Sequence, residues 1–164
     1  MEIDFNFSGN ISSINKDQFD LMINENDSPF INYDFLRALE ESSSVSEISG
    51  WKPNHLVSIE EKKLNGFMPL YLKDNSQGEF VFDHSWSYAL NRAGRKYYPK
   101  LLTAIPFTPC KTRKIISSKS NNFIDAVVNY MEEKSIETWH VLFPEKEESK
   151  NLLEKGLIER SGHK

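Results

Sequence analysis

The sequence predicts a mixed α/β fold of the α+β kind, with a central, mostly antiparallel sheet flanked by helices. Three observations predict it. Residues 15–40 carry apolar side chains at helical spacing, residues 55–83 read as short strands separated by turn residues, and residues 100–158 alternate strand and helix patterns. At 164 residues, 38% apolar and 27% charged, the chain has the size and composition of one globular domain.

Asn15 with Gln18 three residues on resembles a capping box, and Phe19, Met22 and Ile23 then share a helical face. A second short helix follows Pro29, with Phe35, Leu36 and Leu39 as its inner stripe, and the serine-rich loop "ESSSVSEISG" closes it. From His55 the pattern becomes that of strands: "HLVSIEE", a turn near Lys62 to Asn65, "GFMPLYLK", a turn at "DNSQG", then "EFVFD". Together they read as an antiparallel meander. Ser85 to Ala93 suits a helix closed by Gly94, and "LLTAIPF" a further strand whose prolines make the following segment irregular. Asn122 is the expected cap of an amphipathic helix to Lys134, inner stripe Phe123, Val127, Tyr130 and Met131. "ETWHVLF" is a strand, Lys146 to Lys155 a helix stopped by Gly156, and "LIER" the start of another strand with an uncovered edge.

Composition excludes several classes. No apolar run approaches the ~18 residues of a membrane span, and "MEIDFNFSGN" lacks the basic-then-apolar order of a signal peptide, so a soluble, cytoplasmic protein is expected. A single cysteine, Cys110, rules out an internal disulfide and a cysteine-based zinc site; it reads as a packing residue or a thiol. His55, His140 and His163 show no ligand spacing, so no metal is expected.

Charge is unevenly spread. Between His84 and Ile124 there is no Asp or Glu, while Arg92, Arg95, Lys96, Lys100, Lys111, Arg113, Lys114 and Lys119 give that span +8; the formal net charge of the chain is -4, so the remainder carries -12. A local basic field in an acidic protein suits a small anionic ligand rather than DNA, with a solvated basic face as the alternative. The stretch Gly78 to Cys110 also holds seven aromatic residues.

Taken in order, "SPFINYDFLRALEESSSVSEISGWKPNHL", "GFMPLYLK", "GEFVFDHSW" and "RKYYPKLLTAIPFTPC" resemble the first half of the FemAB-like, peptidoglycan-biosynthesis-type branch of the GNAT acyltransferases, over Ser28 to Gly156. The resemblance implies one GNAT-like domain over residues 1–164, the N-terminal half of a two-domain protein, ending after about residue 160 without its last strand or strands. It implies acyl or aminoacyl transfer to an amine, in cell-wall precursor or related metabolism, from a coenzyme A thioester or an aminoacyl-tRNA. The Arg/Gln-x-x-Gly-x-Gly/Ala phosphate cradle usual in such folds is not found, because "NRAGRK" has a glycine without that spacing. The resemblance then implies either that acyl-CoA binds in the other half while this one holds an anionic or cell-wall-type acceptor, or that this half binds nothing by itself.

Amine acylation needs a base, donors for the oxyanion and an acid for the leaving group. Asp83 and His84 stand at the end of "EFVF", where one can be the base; the structural alternatives are a helix cap for Asp83 and a packed imidazole for His84. Tyr97 offers a catalytic phenol, and Tyr98, Trp86 and Tyr88 offer rings that bind a sugar or peptide face or fill a core. Arg92, Arg95, Lys96 and Lys100 are candidates for gripping phosphate, and Phe107 and Thr108 in the rigid "PFTPC" for lining a groove. Two rival readings remain: a non-catalytic interaction domain, homodimeric through the sheet edge after Leu157, and a single-stranded RNA binder using basic and aromatic groups together.

Overall fold

The computed structural model describes residues 2–161. Five helices and seven strands form two small sheets, and the mixed α/β class expected from the sequence is what the chain adopts. The first sheet is antiparallel, in the order β1 (Ile3–Ser8), β3 (His55–Glu60), β4 (Lys63–Met68). The second runs β2 (Trp51–Pro53), β5 (Tyr71–Lys73), β6 (Lys100–Thr103), β7 (Trp139–Val141) and is antiparallel except for β6 and β7. Among the described residues no helix is long and apolar enough to cross a membrane.

Most of the middle is one bent hairpin. "GFMPLYLK" is not one strand: Pro69 cannot donate a ladder hydrogen bond, and there the chain passes from β4 in the first sheet to β5 in the second. The other arm bends at Asn54 between β2 and β3, so Leu56 pairs with Met68 in one sheet and Pro53 with Tyr71 in the other. The hairpin turns at Glu61 and Lys62, earlier than the expected turn to Asn65, with φ of 51° and 63°. Two left-handed residues in a two-residue loop are what hairpin twist demands, and here they lack the Asn-Gly signal that marks such loops.

Helix α1 (Lys16–Met22) begins as expected, the Asn15 side chain accepting from the Gln18 amide, and buries Phe19. Asn32 does the same for α2 (Tyr33–Glu41). Glu40 of α2 accepts from His55 Nε2 at 2.6 Å and from the Ile11 amide at 2.8 Å, tying helix, sheet and amino-terminal turn together. Helix α3 (His84–Arg92) closes at Gly94, φ 72°. A right-sized crossover, α4 (Ser120–Lys134), joins the parallel strands β6 and β7, and α5 (Lys146–Glu154) ends before Gly156. Phe5 and Phe7 of β1 pack on Phe123 and Tyr130 of α4, so this helix is covered by the first sheet.

Four expectations are corrected. Helix α4 starts at Ser120 and Asn122 lies inside it, so Asn122 is not the cap. "EFVFD" forms no strand, because Glu79 and Asp83 turn inward to buried lysines and leave no partner for its backbone. "LIER" forms none either: Leu157 packs against the core around α4 and residues 157–161 pair with no strand, so among the described residues the sheet edge expected there is not formed. Finally, β1 and β2 add strands to a start read as helical, although the alternation in "IDFNF" is the signal that betrays β1.

Candidate functional site

The second sheet carries an unusual row of side chains across one face. Trp51 of β2 is the register partner of Lys73 of β5, and Lys73 that of Lys100 of β6. All three are fully buried. The Lys73 ammonium lies 3.9 Å from the Trp51 ring centroid and donates to the Gln77 carbonyl at 3.1 Å. The loop after β5 folds back over this row and supplies what the lysines require.

Lys100 Nζ donates to Glu79 Oε2 at 2.8 Å, to Asp83 Oδ2 at 2.6 Å and to Ser76 Oγ at 2.9 Å. Asp83 Oδ2 also accepts from Tyr97 OH at 2.5 Å and from Ser76 Oγ at 2.7 Å. Ser76 Oγ is 2.6 Å from Tyr98 OH, and Tyr97 OH is 3.4 Å from His140 Nε2 on β7. Lys73 approaches the other oxygen of Glu79, at 3.9 Å. Two buried carboxylates are thus matched by two buried ammonium groups, and the half-buried Ser76 and Tyr98 lead from this cluster outward.

The surroundings set distinct protonation states. Burial pushes the Asp83 carboxyl up, but hydrogen bonds from Lys100, Tyr97 and Ser76 outweigh it and hold its pKa at about 2. Glu79, more deeply buried, lies above the ordinary range despite Lys100 and Lys73. Burial lowers Lys73 to about 8 against the pull of Glu79, and burial with the Lys100 charge lowers His140 to about 4. Burial and Asp83 raise Tyr97. At neutral pH the site therefore holds an anionic Asp83, a protonated Tyr97 phenol and an uncharged His140 imidazole.

Of the residues singled out in the sequence, Asp83, Tyr97, Tyr98 and Lys100 come together in this cluster. Asp83 occupies the N-cap position of α3 but makes no capping hydrogen bond, because its carboxylate faces Lys100 instead. Lys100 is not on a basic surface; its charge is held by Glu79 and Asp83. His84, Trp86, Tyr88, Arg92, Arg95 and Lys96 are exposed and outside the cluster. Arg95 pairs with Glu137, and the Arg160 guanidinium stacks 4.0 Å from the Trp86 ring centroid. Phe107 leans on Trp51 beside Gly78, and the Thr108 hydroxyl donates to the Pro106 carbonyl. Cys110 packs against the core that α1 and α2 share with the first sheet.

Sequence reasoning missed Ser76, Glu79, Lys73 and His140. The first two sit in a turn and a supposed strand, and Lys73 looks like an ordinary strand-end lysine. His140 bears no spacing to any ligand, yet the fold brings a ligand atom of Glu79, Asp83 and His140 within 4.8 Å of one another. Lys100 stands on both carboxylates, so an ammonium already takes the place a cation would fill. His163, the other distant histidine, lies outside the described residues.

A pyrophosphate cradle requires free amides at a helix start reached through a glycine-rich turn. Asn15 and Asn32 already accept from first-turn amides of α1 and α2, α3 follows Asp83, and α5 begins with Glu147 and Glu148. Helix α4 follows Lys119 with no glycine before it. Among the described residues these helix starts do not fit the phosphates of coenzyme A.

Comparison with known proteins agrees with the residue-level resemblance. A family model described as FemAB-like, peptidoglycan biosynthesis/recognition, matches residues 10–164. No curated protein and no solved structure matches the chain.

Proposed function

The chain belongs to the FemAB-like family of peptidoglycan biosynthesis and recognition, and from that premise we propose that it serves acyl or aminoacyl transfer to an amine of a cell-wall-type acceptor, with the Ser76, Tyr97, Tyr98, Asp83 and His140 site receiving the amine. The observation that carries this reading is the uncharged His140 beside a hydroxyl chain that leads from the half-buried Ser76 and Tyr98 to Asp83.

An attacking ammonium must lose a proton before it forms an amide. Asp83 is too weak a base at about 2 to take it, and its work is to fix Tyr97 and Lys100. His140 is uncharged at neutral pH; with the Tyr97 proton on Asp83, its Nε2 faces the phenol oxygen as the N–H, and Nδ1 carries the lone pair for that proton. The Tyr98 hydroxyl, which donates to Ser76 Oγ, keeps a lone pair that accepts from an incoming ammonium and orients it.

The test is calorimetric and NMR titration with a soluble, lysine-containing peptidoglycan stem peptide, followed by addition of acetyl-CoA or alanyl-tRNA. Saturable binding with shifts at Tyr97, Tyr98 and His140, lost in Tyr98→Phe, is expected. A titration that moves none of these signals overturns the assignment. A second reading, holding of the acceptor without transfer, is favoured by the lack of a fitting phosphate cradle; peptide binding with no product from either donor would select it.

A further inference from the structure

The segment Glu79 to Asp83 is built inside out. Its burial alternates as a strand's would, but Glu79 and Asp83, 2% and 3% exposed, face inward on either side of the half-buried Val81, and Phe80 and Phe82, 62% and 91% exposed, face outward. Sliding the segment by one residue would bury both rings and strip Lys100 of Glu79 and Asp83 together. The ion pairs therefore hold two phenyl rings in water, where a monomer gains nothing from them.

The neighbourhood extends the same character. Trp86 and Tyr88 of α3 are exposed, and Phe107 lies against Gly78 at the start of the segment. Arg160 stacks on Trp86 and Arg92 lies 5.7 Å from the Tyr88 ring. Arg92 and Lys96 are exposed; Arg95 is paired with Glu137. The acids of the segment itself point into the protein, so its surface charge is basic while the rest of the chain is acidic.

We propose that this face docks on an anionic lipid surface, with Phe80 and Phe82 entering the acyl boundary and Trp86, Tyr88, Arg92 and Lys96 lying among the headgroups. Phenylalanine has no polar atom with which to read sugar hydroxyls, and rings as exposed as these protrude rather than line a cleft. Tryptophan and tyrosine prefer the membrane interface, and basic side chains meet anionic headgroups there. Neither apolar insertion nor charge alone anchors a soluble domain firmly, whereas the two together do. Arg92 and Lys96 give the face +2, so at a net charge of -4 the rest of the chain carries -6, which orients the molecule with this face toward the lipid.

The test is co-sedimentation of the whole chain with sucrose-loaded vesicles of phosphatidylcholine alone and of phosphatidylcholine mixed with phosphatidylglycerol. Binding to the mixed vesicles and not to the neutral ones is expected, weakening as salt is added. Phe80→Ser with Phe82→Ser should lower the partition coefficient at least about tenfold, with circular dichroism and thermal midpoint unchanged because both rings are exposed. Arg92→Glu with Lys96→Glu should lower it and flatten the salt dependence. The proposal is overturned if the wild-type chain ignores the mixed vesicles, or if the phenylalanine variant sediments as the wild type does. It is also overturned if those variants abolish binding to soluble peptidoglycan fragments, RNA or a second copy of the chain while vesicles are not bound, since the patch then belongs to that partner.

Discussion

Lys73 and Lys100 are direct partners across the β5–β6 pairing, and both side chains are fully buried. Like charges directly opposite one another destabilise a sheet, and burial makes this pair worse. The loop between the strands answers by placing Glu79 against both, 3.9 Å from one ammonium and 2.8 Å from the other. The loop conformation, the inward Asp83 and the outward phenylalanines all follow from that need.

Glu79→Gln should therefore be far more damaging than loss of a surface charge. Removing one member of a buried ionic cluster costs about 3–5 kcal/mol, because the remaining charges are left uncompensated. Adding Lys73→Met to Glu79→Gln should recover a large part of that loss, since one cation and one anion are then removed together. Urea unfolding of the three proteins measures both effects. A midpoint for Glu79→Gln equal to that of the wild type would mean that the carboxylate does not hold the lysines.

His140 gives a stability signature in mild acid. Its folded pKa lies at about 4 and its ordinary value at 6.5, so between these the unfolded chain binds a proton that the folded one refuses. Stability is complete above pH 6.5 and falls as pH drops toward 4, by about 2–3 kcal/mol if His140 acts alone. His140→Phe should flatten the curve in that window. Asp83, held at about 2, adds its own loss only further into acid, below its ordinary value.

At high pH two lysines act with the same sign as His140. Lys114 is buried with its ammonium on the carbonyls of Cys110, Thr112 and Phe143, and burial lowers it, like Lys73, to about 8. The unfolded chain keeps both protons to pH 10.5, so stability should rise between about 8 and 10, together on the order of 3 kcal/mol. Lys114→Met should remove a substantial part of the rise, measured as unfolding free energy at the two pH values. Above pH 10 the trend should turn downward, because buried Tyr71 and Tyr97 keep their protons in the folded state.

Local signals in the sequence were faithful where structure is decided locally. Asn15 caps α1, Gly94 follows α3, and the stripe Phe123, Val127 and Tyr130 faces the first sheet. They failed where a distant residue decides. Nothing near Glu79 announces Lys100, so "EFVFD" reads as a strand until the two meet. Asp83 reads as a cap for the same reason. His140 reaches the cluster only because β7 pairs in parallel with β6 after a whole helix, a relation that no spacing along the chain encodes.

The packing between the first sheet and α4 can be tested at one atom. Gly66 of β4 faces α4 so closely that an added Cβ would lie 2.7 Å from two ring carbons of Phe123 and 2.7 Å from Ser58 Oγ. Phe123 is buried and holds the Phe5 ring edge-on at 5.2 Å, so it has no room to withdraw without disturbing β1. Gly66→Ala should cost about 1–3 kcal/mol, the usual range for overpacking. Phe123→Leu made in the same chain should cost less than it does alone, because the smaller side chain makes room for the new methyl group. A double-variant cycle by urea unfolding reads the coupling. If the two costs simply add, the close approach of β4 to α4 is not what requires glycine at this position.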